Sequence, residues 1–332
     1  MSEAFGEFEA QPVHRVTISD GPLTANIITW GAVLQDLRLE GHDAPLVLGF
    51  DTFEPYPEQS PYFGAIAGRV ANRIRNAQAP LDGETVHLDA NVRGVHHLHG
   101  GHAGLGRKLW SIVEEGPSHV ALEIVSPEGD MGYPGTMKAR CTYRIENGAL
   151  RVELQAATDL PTFCNLAHHS YFNLQDGGRG DILDHELTIA AYDYLETDDD
   201  FIAGGEPVRV EGTRFDFRTG KPIRVGEGEQ PIFDNNFCLA RSGTALREVA
   251  KVTAPNGLTM RVETTEPGLQ FYAGHKIATT SPGLDGIEYG PRSGLCLEAQ
   301  CWPDAPNNPT YPSIVLRPDE PYAQVTSYGF AK

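Results

Sequence analysis

Residues 141–154 read CTYRIENGALRVEL, with apolar and polar side chains alternating on both sides of an Asn-Gly pair. Alternation with a period of two residues is typical of a β-strand that has one buried face. The Asn147-Gly148 pair favours a type I′ turn, because both central residues of that turn adopt a positive φ. The stretch is therefore predicted to form a β-hairpin.

The same period of two recurs along the chain, whereas the stripes typical of amphipathic helices are scarce. Further strands are predicted at residues 120–124, 187–189 and 295–299, and a second hairpin around Asn256-Gly257. Turn-forming residues separate these segments at short intervals, and no linker or internal repeat interrupts them. We expect an all-β fold, a large and mostly antiparallel β-sandwich that forms a single domain over residues 1–332.

The composition is acidic, with 26 Lys and Arg against 45 Asp and Glu and a net charge of −19. Binding to nucleic-acid phosphates or to an anionic membrane surface depends on clustered Lys and Arg. No apolar run reaches the ~20 residues that a membrane-spanning helix needs. We therefore expect neither a nucleic-acid nor a membrane partner, whereas a neutral polar ligand such as a sugar meets no electrostatic penalty.

The chain lacks the signals of an exported protein. Its first residues, MSEAFGEFEA, contain neither the basic nor the apolar segment of a secretory signal peptide. The five cysteines are odd in number and never spaced as CxxC: Cys141, Cys164, Cys238, Cys296 and Cys301. Because such a pattern fits reduced thiols better than disulfides, the predicted localisation is cytoplasmic.

The histidines are distributed unevenly. Six of the 12 form two clusters: His96, His97, His99 and His102, then His168 and His169. On a strand, His97 and His99 would share a face, as metal ligands do. However, Gly100 and Gly101 follow where a cupin-like metal site would supply a Glu. The pattern alone favours structural or surface histidines over a metal site.

Residues 294–305 read GLCLEAQCWPDA and are predicted to contain a strand. The pleat would place Cys296, Glu298 and Gln300 on one face, opposite the apolar residues. A carboxylate on this uncharged face, just before a Trp-Pro-Asp turn, is either a ligand-binding group or an ordinary exposed charge. The local pattern leaves both interpretations open.

Residues 63–74, FGAIAGRVANRI, place two arginines in an apolar stretch. A guanidinium in such surroundings needs hydrogen-bond or charge partners. We expect Arg69 to be paired in the core. Arg73 lies beside Asn72, and the two together offer donors suited to sugar hydroxyls.

Six ordered motifs extend over nearly the whole chain and together resemble the aldose 1-epimerase (galactose mutarotase) family. They are GRVANRI at 68–74, LHGG at 98–101, GYPG at 132–135, HSYFNL at 169–174, PGLQFY at 267–272, and LEAQ at 297–300 with PDAPN at 303–307. The resemblance implies a β-sandwich of the galactose-mutarotase-like kind, with no cofactor and no metal. It also implies a free monosaccharide, a hexose or a related sugar, as the partner.

The family pattern also implies residue roles. Glu298 would be the general base and His169 the general acid of anomer interconversion. The residues expected to hold the sugar are Asn72, Arg73, His99, Asp234 and Gln270, with His99 near the reacting ring.

The reaction suits a carboxylate paired with an imidazole. Opening the sugar ring needs a base for the anomeric hydroxyl and an acid for the ring oxygen, and closure reverses both transfers. With reference pKa values of about 4.3 for Glu and about 6.5 for His, an ionised Glu298 and a protonated His169 are expected to coexist in mildly acidic to neutral water.

Several residues depart from the family pattern, namely Ala167, His168, Asn235 and the segment IAGGE at 202–206. Because they fall near sugar-contacting motifs, the preferred sugar stays open between an aldohexose, a pentose, a deoxysugar and a ketose. A sugar phosphate would require additional Lys or Arg at the pocket mouth, where the motifs supply only Arg69 and Arg73.

Two other classes of function remain open. One is a carbohydrate-binding protein without catalysis on the same scaffold. The other is a metal-dependent sugar isomerase that uses the histidine clusters. Glycoside hydrolysis would need two carboxylates flanking the bond, a part that Glu298 and Asp234 would have to play.

Overall fold

A computed structural model describes residues 2–332, so that Met1, the first residue of the predicted domain, lies outside the described residues. Strands dominate, and all pairings between named strands are antiparallel, which confirms the all-β prediction. The α-helix Tyr56–Gln59 is a single turn that begins after Pro55. Short 3₁₀ turns occupy Arg75–Ala77, Leu105–Arg107, Asp130–Gly132, Leu284–Gly286 and Ala305–Asn307.

The largest sheet has nine strands. In spatial order they are Ser111–Glu115, His119–Ser126, Met137–Glu146, Ala149–Thr158, Tyr322–Ala331, Thr259–Thr264, Arg247–Thr253, Glu186–Ile189 and Lys221–Pro222. The C-terminal strand therefore lies in the middle of this sheet, beside a strand from the middle of the chain.

Two smaller sheets and four two-stranded ladders complete the fold. The four-stranded sheet runs Glu3–Phe8, Gln11–Asp20, Leu23–Ile28 and Val33–Leu39. The five-stranded sheet runs Val208–Arg209, Asp193–Tyr194, Asp234–Cys238, Gly268–Tyr272 and Cys296–Gln300. The ladders pair Ile66–Ala67 with Ala167–His168, Arg73–Ile74 with His97–Leu98, Gln78–Leu81 with Glu84–His87, and Thr162–Phe163 with Val315–Leu316.

The hairpin predicted around Asn147-Gly148 is confirmed. Glu146 pairs with Ala149 across a two-residue loop, and Asn147 and Gly148 have φ values of 52° and 75°. The second hairpin also forms, but its loop is longer: Thr253 pairs with Thr259, and of the Asn-Gly pair only Gly257 has a positive φ, 87°. The dipeptide therefore predicts the position of the second turn but not its type.

The main core lies between the sheets. Its largest apolar cluster draws side chains from all three of them, including Val16, Val152 and Phe271. The hydroxyl of Tyr143, on the nine-stranded sheet, donates a 2.7 Å hydrogen bond to the Ala32 carbonyl beside the four-stranded sheet. Within residues 2–332, none of the helices has the length and apolar character needed to span a bilayer.

Candidate active site

A cavity of about 190 Å³ contains nearly all the predicted site residues. All of them line it except Gln270, which contacts the lining residue Asp234. The lining members of the predicted set are Asn72, Arg73, His99, His169, Asp234 and Glu298. Residues predicted from separate motifs therefore meet in one place.

Glu298 reaches the cavity from the strand Cys296–Gln300. The pleat places Leu297 and Ala299 in the main core and Cys296 on the opposite face, as predicted. Glu298 is only 3% exposed, so the interpretation of this carboxylate as an ordinary exposed charge is wrong. Its Oε2 atom is buried without a hydrogen-bond partner, which leaves it available to a ligand.

His169 approaches the same point from a different ladder. It follows the strand Ala167–His168, and its backbone N–H donates a 2.9 Å hydrogen bond to the Ala65 carbonyl. Its Nε2 atom lies 3.6 Å from Oε2 of Glu298, and its Nδ1 atom lies 3.6 Å from Sγ of Cys296. A carboxyl group and an imidazole are thereby brought together in a buried site.

His99 forms a third polar group beside this pair. Its Nδ1 atom accepts a 3.1 Å hydrogen bond from the backbone N–H of Asn72, so the neutral ring carries its proton on Nε2. The His99 ring is 5.1 Å from the His169 ring and 4.7 Å from the Tyr62 ring, centroid to centroid. His99 can therefore present an N–H donor close to His169.

Asp234 is held from two sides. Gln270 donates a 2.7 Å hydrogen bond from Nε2 to Oδ1 of Asp234, and Nη1 of Arg73 lies 4.0 Å from the other carboxylate oxygen. Oε1 of Gln270 and Nε of Arg73 are buried without partners. Such unsatisfied groups are costly unless a polar ligand completes them, which is the arrangement expected of a sugar site.

Burial changes the protonation expected from reference values. It raises the pKa of Glu298 well above its ordinary value, with a further contribution from Asp234 and an opposing one from Arg73. Burial also lowers the pKa of His169 to about 4. The expectation of an ionised Glu298 beside a protonated His169 is therefore wrong for the sugar-free protein, because desolvation favours the neutral form of each group.

His99 is neutral for the same reason. Burial, with added repulsion from His169 and Arg73, lowers its pKa well below the ordinary value. Its ring therefore acts as a neutral donor and adds no charge to the cavity.

Three of the residues that depart from the family pattern pack away from the cavity. His168 accepts or donates hydrogen bonds to the hydroxyls of Tyr328, at 3.2 Å, and Ser170, at 2.9 Å, inside the core. Asn235 donates a 3.0 Å hydrogen bond to the Leu195 carbonyl, and Ala167 belongs to a small alanine cluster. None of them lines the cavity.

Arg69 is a core residue, as expected, but its partners are not carboxylates. It is 1% exposed, and its guanidinium donates to Oγ of Ser126 at 2.8 Å and to the carbonyls of Ser126, Pro127 and Pro134. Backbone carbonyls thus satisfy its charge without an ion pair.

The two histidines considered as metal ligands from their spacing have separate roles. His97 is buried and bonded to the Asp89 carbonyl and the Tyr133 hydroxyl, at 2.7 and 2.6 Å. The set that could hold a metal ion is instead His99, His169 and Glu298, whose ligand atoms all lie within 4.8 Å of one another. A histidine that binds a metal ion must be a neutral imidazole, which both histidines of this set are. Any test for a bound metal ion should therefore address His99, His169 and Glu298 and not the pair of His97 and His99.

The sequence motifs missed part of the cavity wall. Tyr62, Tyr171, Tyr272 and Lys276 also line it. The Tyr171 ring stacks on His169 with centroids 5.1 Å apart, and Tyr62 lies against both His99 and His169. Tyr171 and Tyr272 belong to quoted motifs and were within reach of sequence reasoning, whereas Lys276 lies beyond the end of its motif.

Comparisons with known proteins agree with this arrangement. A sequence model of the family described as "Aldose 1-epimerase" matches residues 14–329. A galactose mutarotase from Rattus norvegicus is 40% identical over 98% of this chain and 97% of its own length. An aldose 1-epimerase from Escherichia coli K12 is 34% identical over 97% and 96%.

Comparison with solved structures leads to the same family. The crystal structure of an aldose epimerase homologue from C. elegans superposes with a TM-score of 0.88 at 30% identity and covers 96% of this chain and 98% of that one. The match covers nearly the whole of both chains, which confirms the galactose-mutarotase-like β-sandwich. The chain belongs to the aldose 1-epimerase family.

Proposed function

We propose that this protein is a mutarotase, an isomerase that interconverts the α and β anomers of a free sugar by acid-base opening and closure of the ring. The observation that carries the proposal is the 3.6 Å approach of Nε2 of His169 to Oε2 of Glu298 in a buried cavity. At about 190 Å³ the cavity is smaller than the roughly 300–1,000 Å³ typical of drug-sized pockets, which suits a monosaccharide.

The chemistry needs one group on each side of the anomeric centre. Glu298 takes the proton of the anomeric hydroxyl while His169 donates a proton to the ring oxygen. The C1–O5 bond then breaks, and C1 becomes the carbonyl carbon of the open-chain aldehyde. After rotation about the C1–C2 bond, O5 attacks the other face of C1 and both protons return.

The protons balance within the pair. The ionised Glu298 with a protonated His169 holds as many protons as the neutral pair, and the two states differ only in where one proton lies. The ionised pair accompanies the closed sugar ring, and the neutral pair accompanies the open chain. Burial favours the neutral pair, the state that accompanies the open chain, and the transfer between the two states needs no proton exchange with water.

The remaining predicted residues are assigned to binding. Asp234 and Gln270 form a hydrogen-bonded pair that can accept from and donate to ring hydroxyls. Arg73, Asn72 and His99 supply donors around the same cavity. Because several relatives are named galactose mutarotase, galactose and glucose are the first sugars to test.

The test is anomer exchange measured by NMR on galactose and glucose with purified protein. We expect exchange well above the buffer rate, lost in Glu298→Gln and in His169→Ala, and retained in Glu227→Gln, which changes an exposed carboxylate. Wild-type rates in either site variant would reject the assignment of the pair. Sugar binding by calorimetry without exchange would indicate a binding protein instead.

The set of His99, His169 and Glu298 makes a metal-dependent isomerase the second candidate. Full activity in excess EDTA, together with elemental analysis that finds no stoichiometric metal, would eliminate it. Loss of activity with chelator and its recovery with a divalent ion would replace the mutarotase proposal.

We also propose that residues 1–332 form a single domain that works in the cytoplasm. The main apolar cluster, which extends from Val16 to Tyr328, supports one folding unit. The five cysteines are all free, which fits a reducing compartment.

A further inference from the structure

Lys276 lines the cavity and adds a positive charge to its wall. None of the family motifs contains this residue. It lies four residues after the strand Gly268–Tyr272, and its backbone N–H donates a 3.0 Å hydrogen bond to the Tyr272 hydroxyl. Tyr272 itself lines the cavity, so this bond ties the Lys276 turn to the site. The bond holds the backbone at Lys276, and the residue is exposed to solvent where it lines the cavity.

The Lys276 ammonium and the Arg73 guanidinium share one aromatic ring. Nζ of Lys276 is 4.3 Å from the centroid of the Phe201 ring, and Cζ of Arg73 is 5.5 Å from the same centroid. A ring face attracts a cation, and this attraction lets two like charges approach each other. The result is a pair of cations on one wall.

These cations lack matching carboxylates. Among the side chains of residues 2–332, no carboxylate oxygen comes within 4.0 Å of the Lys276 ammonium, and the Asp234 carboxylate that approaches Arg73 already binds Gln270. Burial lowers the pKa of Lys276 below its ordinary value, and the nearby charge of Arg73 lowers it further. Two cations facing one shared carboxylate leave a net positive wall in a protein whose net charge is −19.

In the part of the chain that the structure describes, residues 2–332, His169 approaches the Glu298 carboxylate to 3.6 Å, whereas neither Arg73 nor Lys276 comes within 4.0 Å of it. An anion held by Lys276 would therefore belong to a part of the sugar other than the anomeric carbon.

We propose that the preferred substrate is an aldose with an anionic group, a hexuronate, whose carboxylate is bound by Lys276 and Arg73 while its anomeric centre meets His169 and Glu298. This inference rests on the mutarotase function proposed above. Replacing the terminal hydroxymethyl group of a hexose by a carboxylate adds one oxygen atom, whereas esterifying that group with phosphate adds one phosphorus and three oxygen atoms. A cavity of about 190 Å³ therefore favours the uronate over the sugar phosphate.

The test compares three substrates: glucuronate, glucose and glucose 6-phosphate. We expect the wild-type protein to show a kcat/KM for glucuronate on the order of tenfold above that for glucose, the size of effect expected of a hydrogen bond to a charged group. Lys276→Met should remove this preference, because it should lower kcat/KM for glucuronate about tenfold and affect glucose less. Added salt should raise the KM for glucuronate but not that for glucose.

The matched control is Lys138→Met, which removes one positive charge from the strand Met137–Glu146, outside the cavity lining. This control variant should change kcat/KM for neither glucuronate nor glucose. Equal kcat/KM for glucuronate and glucose in the wild-type protein, or an equal loss of both in Lys276→Met, would overturn the inference. A preference for glucose 6-phosphate over glucuronate would show that the substrate is an anionic aldose but would overturn the proposal that it is a uronate.

A binding measurement separates this inference from the proposed reaction. Calorimetry on Glu298→Gln should show glucuronate binding more tightly than glucose, and the difference should vanish in the variant that also carries Lys276→Met. If no sugar is interconverted by the wild-type protein but this difference in binding is present, the mutarotase proposal fails and the anion site stands. If the difference is absent, the anion site fails whatever the activity.

Discussion

Nε2 of His169 lies 3.6 Å from Oε2 of Glu298, although the two side chains come from a short two-stranded ladder and from the edge of the five-stranded sheet. Glu298 pairs directly with Gln270 on the neighbouring strand, and Gln270 pairs with Asn236 on the next. The register of these strands therefore places the Glu298 carboxyl beside Gln270, which holds Asp234. Glu298, Gln270 and Asp234 thus lie on one sheet, whereas His169 reaches them from outside it.

The first prediction concerns the coupling of the pair. Glu298→Gln and His169→Asn are each expected to lower kcat by roughly 10²–10⁴-fold, because each removes one positioned proton transfer. The double variant should lose little more than either single variant, since neither group completes the reaction alone. Pre-steady-state anomer exchange would measure all three. Losses that multiply in the double variant would show that the two groups act independently.

The second prediction is the pH dependence of kcat/KM. Below about pH 4, the value to which burial lowers the pKa of His169, both groups are protonated and no base remains. Above the raised pKa of Glu298 neither group is protonated and no acid remains. Activity should therefore form a broad plateau through neutral pH.

The pH profile is checked by NMR exchange rates after subtraction of the buffer reaction. Ordinary pKa values would instead confine the optimum between about 4.3 and about 6.5. A steep loss of activity between pH 6 and 7 would contradict the role assigned to burial.

The third prediction concerns Gln270, which reaches the sugar site through Asp234. Gln270→Leu removes the 2.7 Å hydrogen bond and leaves the Asp234 carboxylate with only the 4.0 Å approach of Arg73. We expect KM to rise on the order of tenfold, from the loss of a hydrogen bond to a charged group, with kcat changed much less. Steady-state polarimetry separates the two constants. A fall in kcat at constant KM would place Gln270 in the chemical step instead.

The fourth prediction concerns stability away from the site. Glu266 is 7% exposed and lines a separate cleft, and burial raises the pKa of its carboxyl to about 7 against an ordinary value of 4.5. The folded state thus binds this proton more tightly than the unfolded state. Its contribution to the free energy of unfolding is lost as pH rises from about 4.5 to about 7, by up to ~3 kcal/mol.

Glu266→Gln should abolish this loss. The variant should be more stable than the wild type at pH 8 and similar to it at pH 4, as measured by urea unfolding at both values. Glu229→Gln, at an exposed position, is the control. An equal difference between variant and wild type at both pH values would show that ionisation of Glu266 is not the cause.

The sequence predicts the structure correctly where the structure depends on residues that are neighbours in the chain. The alternation in residues 141–154 and the Asn147-Gly148 pair predict both strands and the turn, because side-chain period and positive φ depend on neighbouring residues only. The prediction is less accurate at Asn256-Gly257, where the same dipeptide lies in a longer loop. There the register of the flanking strands outweighs the preference of the dipeptide.

The amino-acid sequence alone determined the strand pattern, the acidic composition and the absence of CxxC spacing, and, through its ordered motifs, the family and its candidate residues. Only the tertiary structure decided that Glu298 is buried, that it meets His169, that both favour their neutral forms, and that Lys276 joins Arg73 on the cavity wall. Strand period and turns arise from neighbouring residues, whereas desolvation and the approach of distant side chains depend on how the sheets pack. That is why the residues of the site were predictable and their protonation was not.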